Sequence, residues 1–269
     1  MIAIICADAR TLEADLCAAR FDACITDPPY SQRVHAKTYS NGTINSGGPH
    51  TRDLGFEAID DMLRTTIACI AATCTRWTAV FSDIDASHDW RVALAAQQVE
   101  VIRSVPWVRW SQPQLSGDRP PSGCEMITLA HARGAKRWSG PGSLTAFTAL
   151  SLRGAAKYSC EKPLDLMISL VSWFSDAGEA IVDPCCGVGT TPLACKLLGR
   201  DCVAIERDAA VAARAQTRLA APISARDRER CERWIAMQRA WLHDAPDSVK
   251  GVARYARAQA DMERIESIL

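Results

Sequence analysis

The 269 residues lack several features that would classify them quickly. Lysine plus arginine balance aspartate plus glutamate at 31 each, so there is no net charge to suggest a partner. Aromatic residues are only 6%. No apolar run reaches the ~18 residues of a membrane span, because a charged residue interrupts every candidate. No charged, then apolar, then small-residue leader opens the chain, and a non-secreted, cytoplasmic protein is expected. The 12 cysteines contain no C-x-x-C pair and most sit in apolar runs. They read as reduced, small hydrophobes rather than as disulfides or zinc ligands. No metal site is expected. The phosphate-binding pattern GxxxxGK[ST] is also missing, which argues against ATP hydrolysis.

What is present is an ordinary globular composition, 48% hydrophobic and 23% charged, long enough to build a core without staples. Charge is unevenly spread. Residues 103–162 carry 9 basic and 3 acidic side chains, whereas residues 1–102 carry 8 and 13. A basic stretch in an acidic chain suggests a local polyanion site. Its candidates are Arg103, Arg109, Arg119, Arg133, Lys136, Arg137, Arg153 and Lys157, with Trp107, Trp110 and Trp138 interleaved.

Short β-branched runs alternate with helical spacings. Strands are expected at 1–6, 21–26, 77–83, 99–101, 105–110, 123–131, 180–183 and 201–205. Helices are expected at 10–19, 57–74, 87–98, 162–176, 190–198 and 208–219. Such alternation argues an α/β, doubly wound, mostly parallel sheet. Residues 31–56, rich in Ser, Asn, Gly and Thr, read as a long mobile loop. Beyond 220, apolar residues at helical spacing (Trp234, Met237, Trp241, Val252, Tyr255, Ala258, Met262, Ile265), split by Pro246, predict a helical pair. This C-terminal extension, 220–269, is set apart from a catalytic domain at 1–219. It could serve as a homodimer element or a DNA clamp.

Two motifs carry chemistry. In the first, the strand Ile181–Asp183 meets the turn Pro184-Cys185-Cys186-Gly187-Val188-Gly189, and Thr190-Thr191 open a helix. Glycines let backbone approach a ligand, and free N–H groups at a helix start favour an anion. The next strand ends in Glu206, where a carboxylate can accept from ribose hydroxyls. In the second, Asp27-Pro28-Pro29-Tyr30 ends a strand. Asp27 can accept from an amino group, the Pro28 carbonyl adds an acceptor, and Tyr30 offers a flat face for a heterocycle.

Taken together with Cys160-Glu161-Lys162-Pro163, these motifs resemble the amino-methylating DNA methyltransferases of the β arrangement, which make N6-methyladenine or N4-methylcytosine. In that family a (D/N/S)PP(Y/F) tetrapeptide precedes a target-recognition segment, an (H/E)KP element and a DPFxGSGTT loop. The order here matches, with 103–158 as the basic recognition segment. Val203–Asp208 resembles the family's GIExD element, Ala7-Asp8 its N-terminal GD, and Cys124-Glu125 its NxxHE stretch. Cys185, Cys186 and Val188 depart from the usual residues.

The resemblance implies a Rossmann-like, S-adenosylmethionine-dependent methyltransferase fold. It places Asp8 near the cofactor's adenine, Glu206 on the ribose, and Asp183, Pro184, Gly187, Gly189, Thr190 and Thr191 at the methionine end. Lys162 and Pro163 would close the pocket. Asp27, Pro28, Pro29 and Tyr30 become catalytic, acting on a base flipped out of double-stranded DNA. Adenine N6 is the expected target, because aspartate leads the tetrapeptide and the larger ring gains more from stacking. S-adenosylhomocysteine would be the product, and a cognate restriction endonuclease a further partner. Cytosine N4, an RNA or protein N-methyltransferase, and a silent nucleic-acid-binding relative stay open as alternatives.

Overall fold

The computed structural model describes residues 1–32, 34, 39–40, 50–51, 56–110, 123–140, 147–150, 160–244 and 252–269. Ten strands occur among them: β1 (Ile2–Cys6), β2 (Ala23–Thr26), β3 (Tyr39–Ser40), β4 (His50–Thr51), β5 (Trp77–Ser82), β6 (Glu100–Trp110), β7 (Cys124–His131), β8 (Phe147–Leu150), β9 (Ala180–Asp183) and β10 (Asp201–Glu206). The helices are α1 (Glu13–Ala19), α2 (Asp61–Thr73), α3 (Ser87–Ala96), α4 (Leu164–Phe174), α5 (Thr190–Leu198), α6 (Ala209–Ala220), α7 (Ala225–Asp244) and α8 (Ala253–Ile268).

Eight strands form one sheet in the order β1-β10-β9-β2-β5-β7-β6-β8. The first five run parallel, β7 is antiparallel to both its neighbours, and β8 returns parallel to β6. The expected doubly wound, mostly parallel sheet is therefore present. β3 and β4 pair separately, Tyr39 opposite Thr51, inside the segment read as a mobile loop; most of 31–56 lies outside the described residues.

Strand alternation distributes side chains to two faces. Ile25, Ala79, Phe81, Leu129 and Ile181 join a core with α4 and α5, while Cys24, Ala130, Val182 and Ile205 join one with α1, α2 and α3. Helix ends are defined locally. Asp60 accepts from Leu63 N at 2.7 Å to start α2, and Asp208 accepts from Ala210 N at 2.8 Å and Val211 N at 2.9 Å to start α6. Pro163 caps α4, where its missing N–H leaves nothing unpaired.

One expectation of the strand layout needs correction. The two strands expected at 99–101 and 105–110 are one, β6, with a register shift between Val101 and Arg103. Pro106 lies within it, opposite Met126 of β7 and one residue before the described register with β8 begins at Trp107. The helical extension expected beyond residue 219 is present as α7 and α8, and it packs into the core. Cys231, Trp234 and Ile235 of α7 and Ile265 of α8 are buried in the cluster that holds α4 and α5. Buried ion pairs bind the same helices: Arg230 to Asp165 at 3.2 Å, and Arg200 to Asp261, which also accepts from Ser172 at 2.8 Å. Met237 and Val252, expected on the apolar faces, are exposed.

Candidate active site

The carboxyl ends of the parallel strands meet at one edge of the sheet, and almost every strand there delivers a carboxylate. Along the sheet order, Asp8 follows β1, Glu206 ends β10, Asp183 ends β9, Asp27 follows β2 and Asp83 follows β5. Antiparallel β7 brings Glu125 from its beginning. Among the described residues, a single cationic side chain, Lys162, enters the centre of this row.

Lys162 is 8% exposed and lies 2.5 Å from Asp27 Oδ2 and 3.4 Å from Glu125 Oε2. Its ammonium also stands 5.1 Å from the Tyr30 ring centre and 5.2 Å from that of Phe81. The Tyr30 hydroxyl donates to Glu125. Two carboxylates raise the pKa of Lys162 in spite of its burial, so it is held as a cation. Burial pushes the Asp27 carboxyl up, and the Lys162 charge opposes that shift. Asp27 Oδ1 is buried and accepts no hydrogen bond among the described residues.

The backbone of the tetrapeptide is fixed from outside. Tyr30 O accepts from Ile59 N at 3.1 Å. Asp83 accepts from Ser31 N at 3.2 Å and from Ala86 N at 3.0 Å, so one side chain ties the end of the turn to the entry of α3.

Beside it lies the glycine turn. Gly187 and Gly189 have φ of +52° and +81°, conformations open to glycine and costly for other residues. At Gly189 a Cβ would also come within 3.0 Å of the Ala215 Cβ on α6. Asp183, 1% exposed, accepts from Cys185 N at 3.1 Å. Burial pushes its carboxyl up to about 7, although the Thr191 and Thr26 hydroxyls work against the shift. Pro184 carries the chain from Asp183 into the turn. Glu206 accepts from Gly187 N at 3.0 Å and Asp208 N at 2.8 Å, joining the turns after β9 and β10. Each of its oxygens keeps a further lone pair. Asp8 stands beside it, since Ala7 N donates to Glu206 O at 3.1 Å. The Asp8 carboxylate accepts from Arg10 Nη2 at 2.5 Å, and that contact holds its pKa down.

The sequence candidates thus divide. Asp27, Pro28, Pro29, Tyr30, Lys162, Pro163, Asp183, Pro184, Gly187, Gly189, Thr190, Thr191, Glu206 and Asp8 come to one edge. Lys162, expected to close the pocket with Pro163, reaches the tetrapeptide. Arg133, Lys136 and Arg137 do not join them. They follow His131, which pairs with Trp77 at the opposite edge of the sheet. There Lys136 pairs with Glu100 at 2.8 Å, Arg137 with Asp176 at 2.6 Å, and Arg133 donates to Gln98 O at 3.0 Å. Arg103 is exposed, but opposite Leu129, nearer that far end of β6. The Arg109 backbone lies in β6 at the site's edge; its side chain, with Arg119, Arg153 and Lys157, lies outside the described residues. Trp107 is a core residue packed against Phe81, and Trp138, partly buried, packs against Trp77 and Phe174; the Trp110 side chain lies outside the described residues.

Sequence reasoning left Glu125, Phe81, Asp83, Glu161, Arg218 and Arg226 out of the site. Asp83 had a signal, an acidic residue at the tip of an expected strand. Arg218 and Arg226 had none. Among the described residues, no group of three His, Cys, Asp or Glu is arranged to hold a metal ion, and no helix is long and apolar enough to cross a membrane.

The fold is similar to those of several solved structures. The structure of M1.HpyAVI in complex with SAM superposes with a TM-score of 0.61 at 24% identity, covering 81% of this chain and 100% of that one. TTHA0409 of Thermus thermophilus, a protein complexed with S-adenosyl-L-methionine, gives 0.55 at 18%, covering 81% and 94%. The cytosine-N4-specific PvuII DNA methyltransferase gives 0.59 at 9%, covering 100% and 93%. No curated protein matches the chain. Residues 133–217, from the end of β7 through the glycine turn to α6, match the N6/N4 methyltransferase family described as DNA methylase. That match spans about a third of the chain; over the rest, the likeness to these structures is one of fold.

Proposed function

We propose that this chain transfers a methyl group from S-adenosylmethionine to the exocyclic amino group of a base flipped out of double-stranded DNA, at adenine N6. The observation that carries the reading is the state of Asp27. One oxygen is held by Lys162, and the other is buried with no donor among the described residues. A buried acceptor left unpaired costs about 1–3 kcal/mol. An amino N–H entering the site removes that cost.

The residues fit the cofactor. Asp183 is a buried carboxylate whose ionised form needs a cation, and the ammonium of a methionine moiety supplies one. Gly187 and Gly189 shape the turn against that end. Glu206 has lone pairs left for ribose hydroxyls, and Asp8 stands next to it for the adenine amino group. When bound, S-adenosylmethionine supplies a methyl group activated by its sulfonium.

The acceptor's difficulty is electronic, because the lone pair of an exocyclic amine is delocalised into the ring. Asp27 Oδ1 and the Pro28 carbonyl, each accepting one N–H, favour a pyramidal nitrogen and direct its lone pair out of the ring plane. This is positioning and electrostatics. Tyr30 provides a stacking face worth roughly 1–3 kcal/mol, and a base must leave the duplex to reach it. Adenine, the larger ring, gains more from that face. Arg109, Arg119, Arg153 and Lys157 remain the candidates for phosphate contact. A restriction endonuclease partner and a homodimer are kept as further parts of the proposal.

Incubation with methyl-labelled cofactor and duplex DNA, followed by digestion and mass spectrometry, tests the reading. N6-methyladenine is expected. N4-methylcytosine would overturn the base assignment, label in RNA or protein alone would overturn the DNA assignment, and no transfer to any acceptor would overturn the whole.

A further inference from the structure

The side chain of Glu161, the neighbour of Lys162, is 1% exposed and forms the centre of a charged cluster. Arg226, at the start of α7, reaches both its oxygens, at 2.7 and 3.0 Å. Arg218, on α6, lies 3.0 Å from Glu161 Oε1 and 2.8 Å from Asp227 Oδ1. The same Arg218 guanidinium donates to Thr190 Oγ1 at 3.2 Å and Val188 O at 3.4 Å in the glycine turn. One arginine therefore touches both the turn assigned to the cofactor and the residue that precedes Lys162. Bidentate arginine–carboxylate contacts fix geometry as well as charge, and the side chain of a long, flexible lysine is only as well placed as its backbone.

We propose that Arg218 and Arg226 are positioning residues, which hold Lys162 against Asp27 through Glu161 and link that contact to the glycine turn. The first residues of α7 are then part of the machinery rather than an appendage. The role for turnover rests on the methyltransferase reading above; the placement of Lys162 does not. The groups facing Asp27 are Lys162 from the loop before α4, Glu125 from β7, Tyr30 from its own turn and Asp183 from β9. Lys162 is the only cation among them. Loosening it weakens the opposition to burial, so Asp27 should take up its proton at higher pH.

The test uses the full-length chain with Arg226→Gln and Glu161→Gln. Competitive acetylation read by mass spectrometry reports Lys162 exposure directly. Lys162 should label about five-fold faster or more in both variants, as expected for a local opening, with Lys136 at the far edge unchanged. In methyl transfer, kcat should fall about ten-fold or more, the scale of a small misplacement. The acid limb of the kcat–pH profile should move to higher pH, which a merely structural loss would not cause. Arg226 is partly exposed, so its variant decides the matter if Glu161→Gln does not fold. Unchanged Lys162 labelling and an unchanged acid limb in folded Arg226→Gln would overturn the proposal. If the wild-type chain transfers no methyl group, the proposed function falls, while the labelling still decides how Lys162 is held.

Discussion

The Lys162 ammonium lies 2.5 Å from Asp27 Oδ2 across 135 residues of sequence. That contact joins the tetrapeptide after β2 to the segment before α4, and it leaves Asp27 Oδ1 as the unused acceptor.

Asp27→Asn should lower methyl transfer by about 10²–10³, the usual loss when a positioned electrostatic partner of the reacting group is neutralised. Cofactor affinity should stay within about three-fold, since Asp27 is assigned to the acceptor amine. Single-turnover kinetics and calorimetry separate the two quantities. An equal loss in both would move Asp27 to the cofactor.

Asp183 sets a pH dependence for cofactor binding. Its folded pKa, pushed up to about 7, exceeds the ordinary carboxylate value, so the free protein keeps a proton there below 7. The stability associated with that proton declines as pH rises from about 4 through 7. A bound cation favours the ionised form, so affinity should rise from pH 6 to pH 8, and binding at pH 6 should release a proton. One pH unit below the pKa corresponds to about ten-fold in affinity. Calorimetry in buffers of different ionisation enthalpy measures the proton, and Asp183→Asn should flatten the profile.

Lys136 and Arg137 should not contribute to DNA affinity. Both are paired to carboxylates at the sheet edge opposite Asp27. Replacing both by Gln should leave the slope of log affinity against log salt unchanged. If either cation neutralised a phosphate, its removal would reduce the slope by about 0.9. A flattened slope would return them to the interface.

Trp234→Ala should destabilise the whole chain by about 3–5 kcal/mol, the usual cost of removing a buried aromatic. Trp234 is fully buried in the core shared with α4 and α5. Denaturation should show one transition, shifted as a unit, by both fluorescence and circular dichroism. Two separated transitions, with only the weaker one moved, would restore 220–269 as an independent extension.

The sequence by itself determined the repeating elements and the chemistry of their tips. Ala180–Asp183 and Thr190–Leu198 occur at the limits expected from the apolar run and the glycine turn, because those signals are local: an acidic stop, a positive φ, a helix start. The tetrapeptide and the glycine turn were legible for the same reason, each being a contiguous run whose geometry its own residues dictate. What tertiary structure decided was distance and side. Strand order set Asp27 beside Asp183, and the reversed direction of β7 carried Glu125 to the site while sending Arg133, Lys136 and Arg137 to the far edge. A local charge count sees neither strand direction nor the partners of those cations, Glu100, Asp176 and Glu179, which come from distant segments. The joining of α7 to the core and to Glu161 was hidden likewise. Helical spacing shows that a face will be buried, but only the packed chain shows against what, because burial and ion pairing depend on residues far apart in sequence.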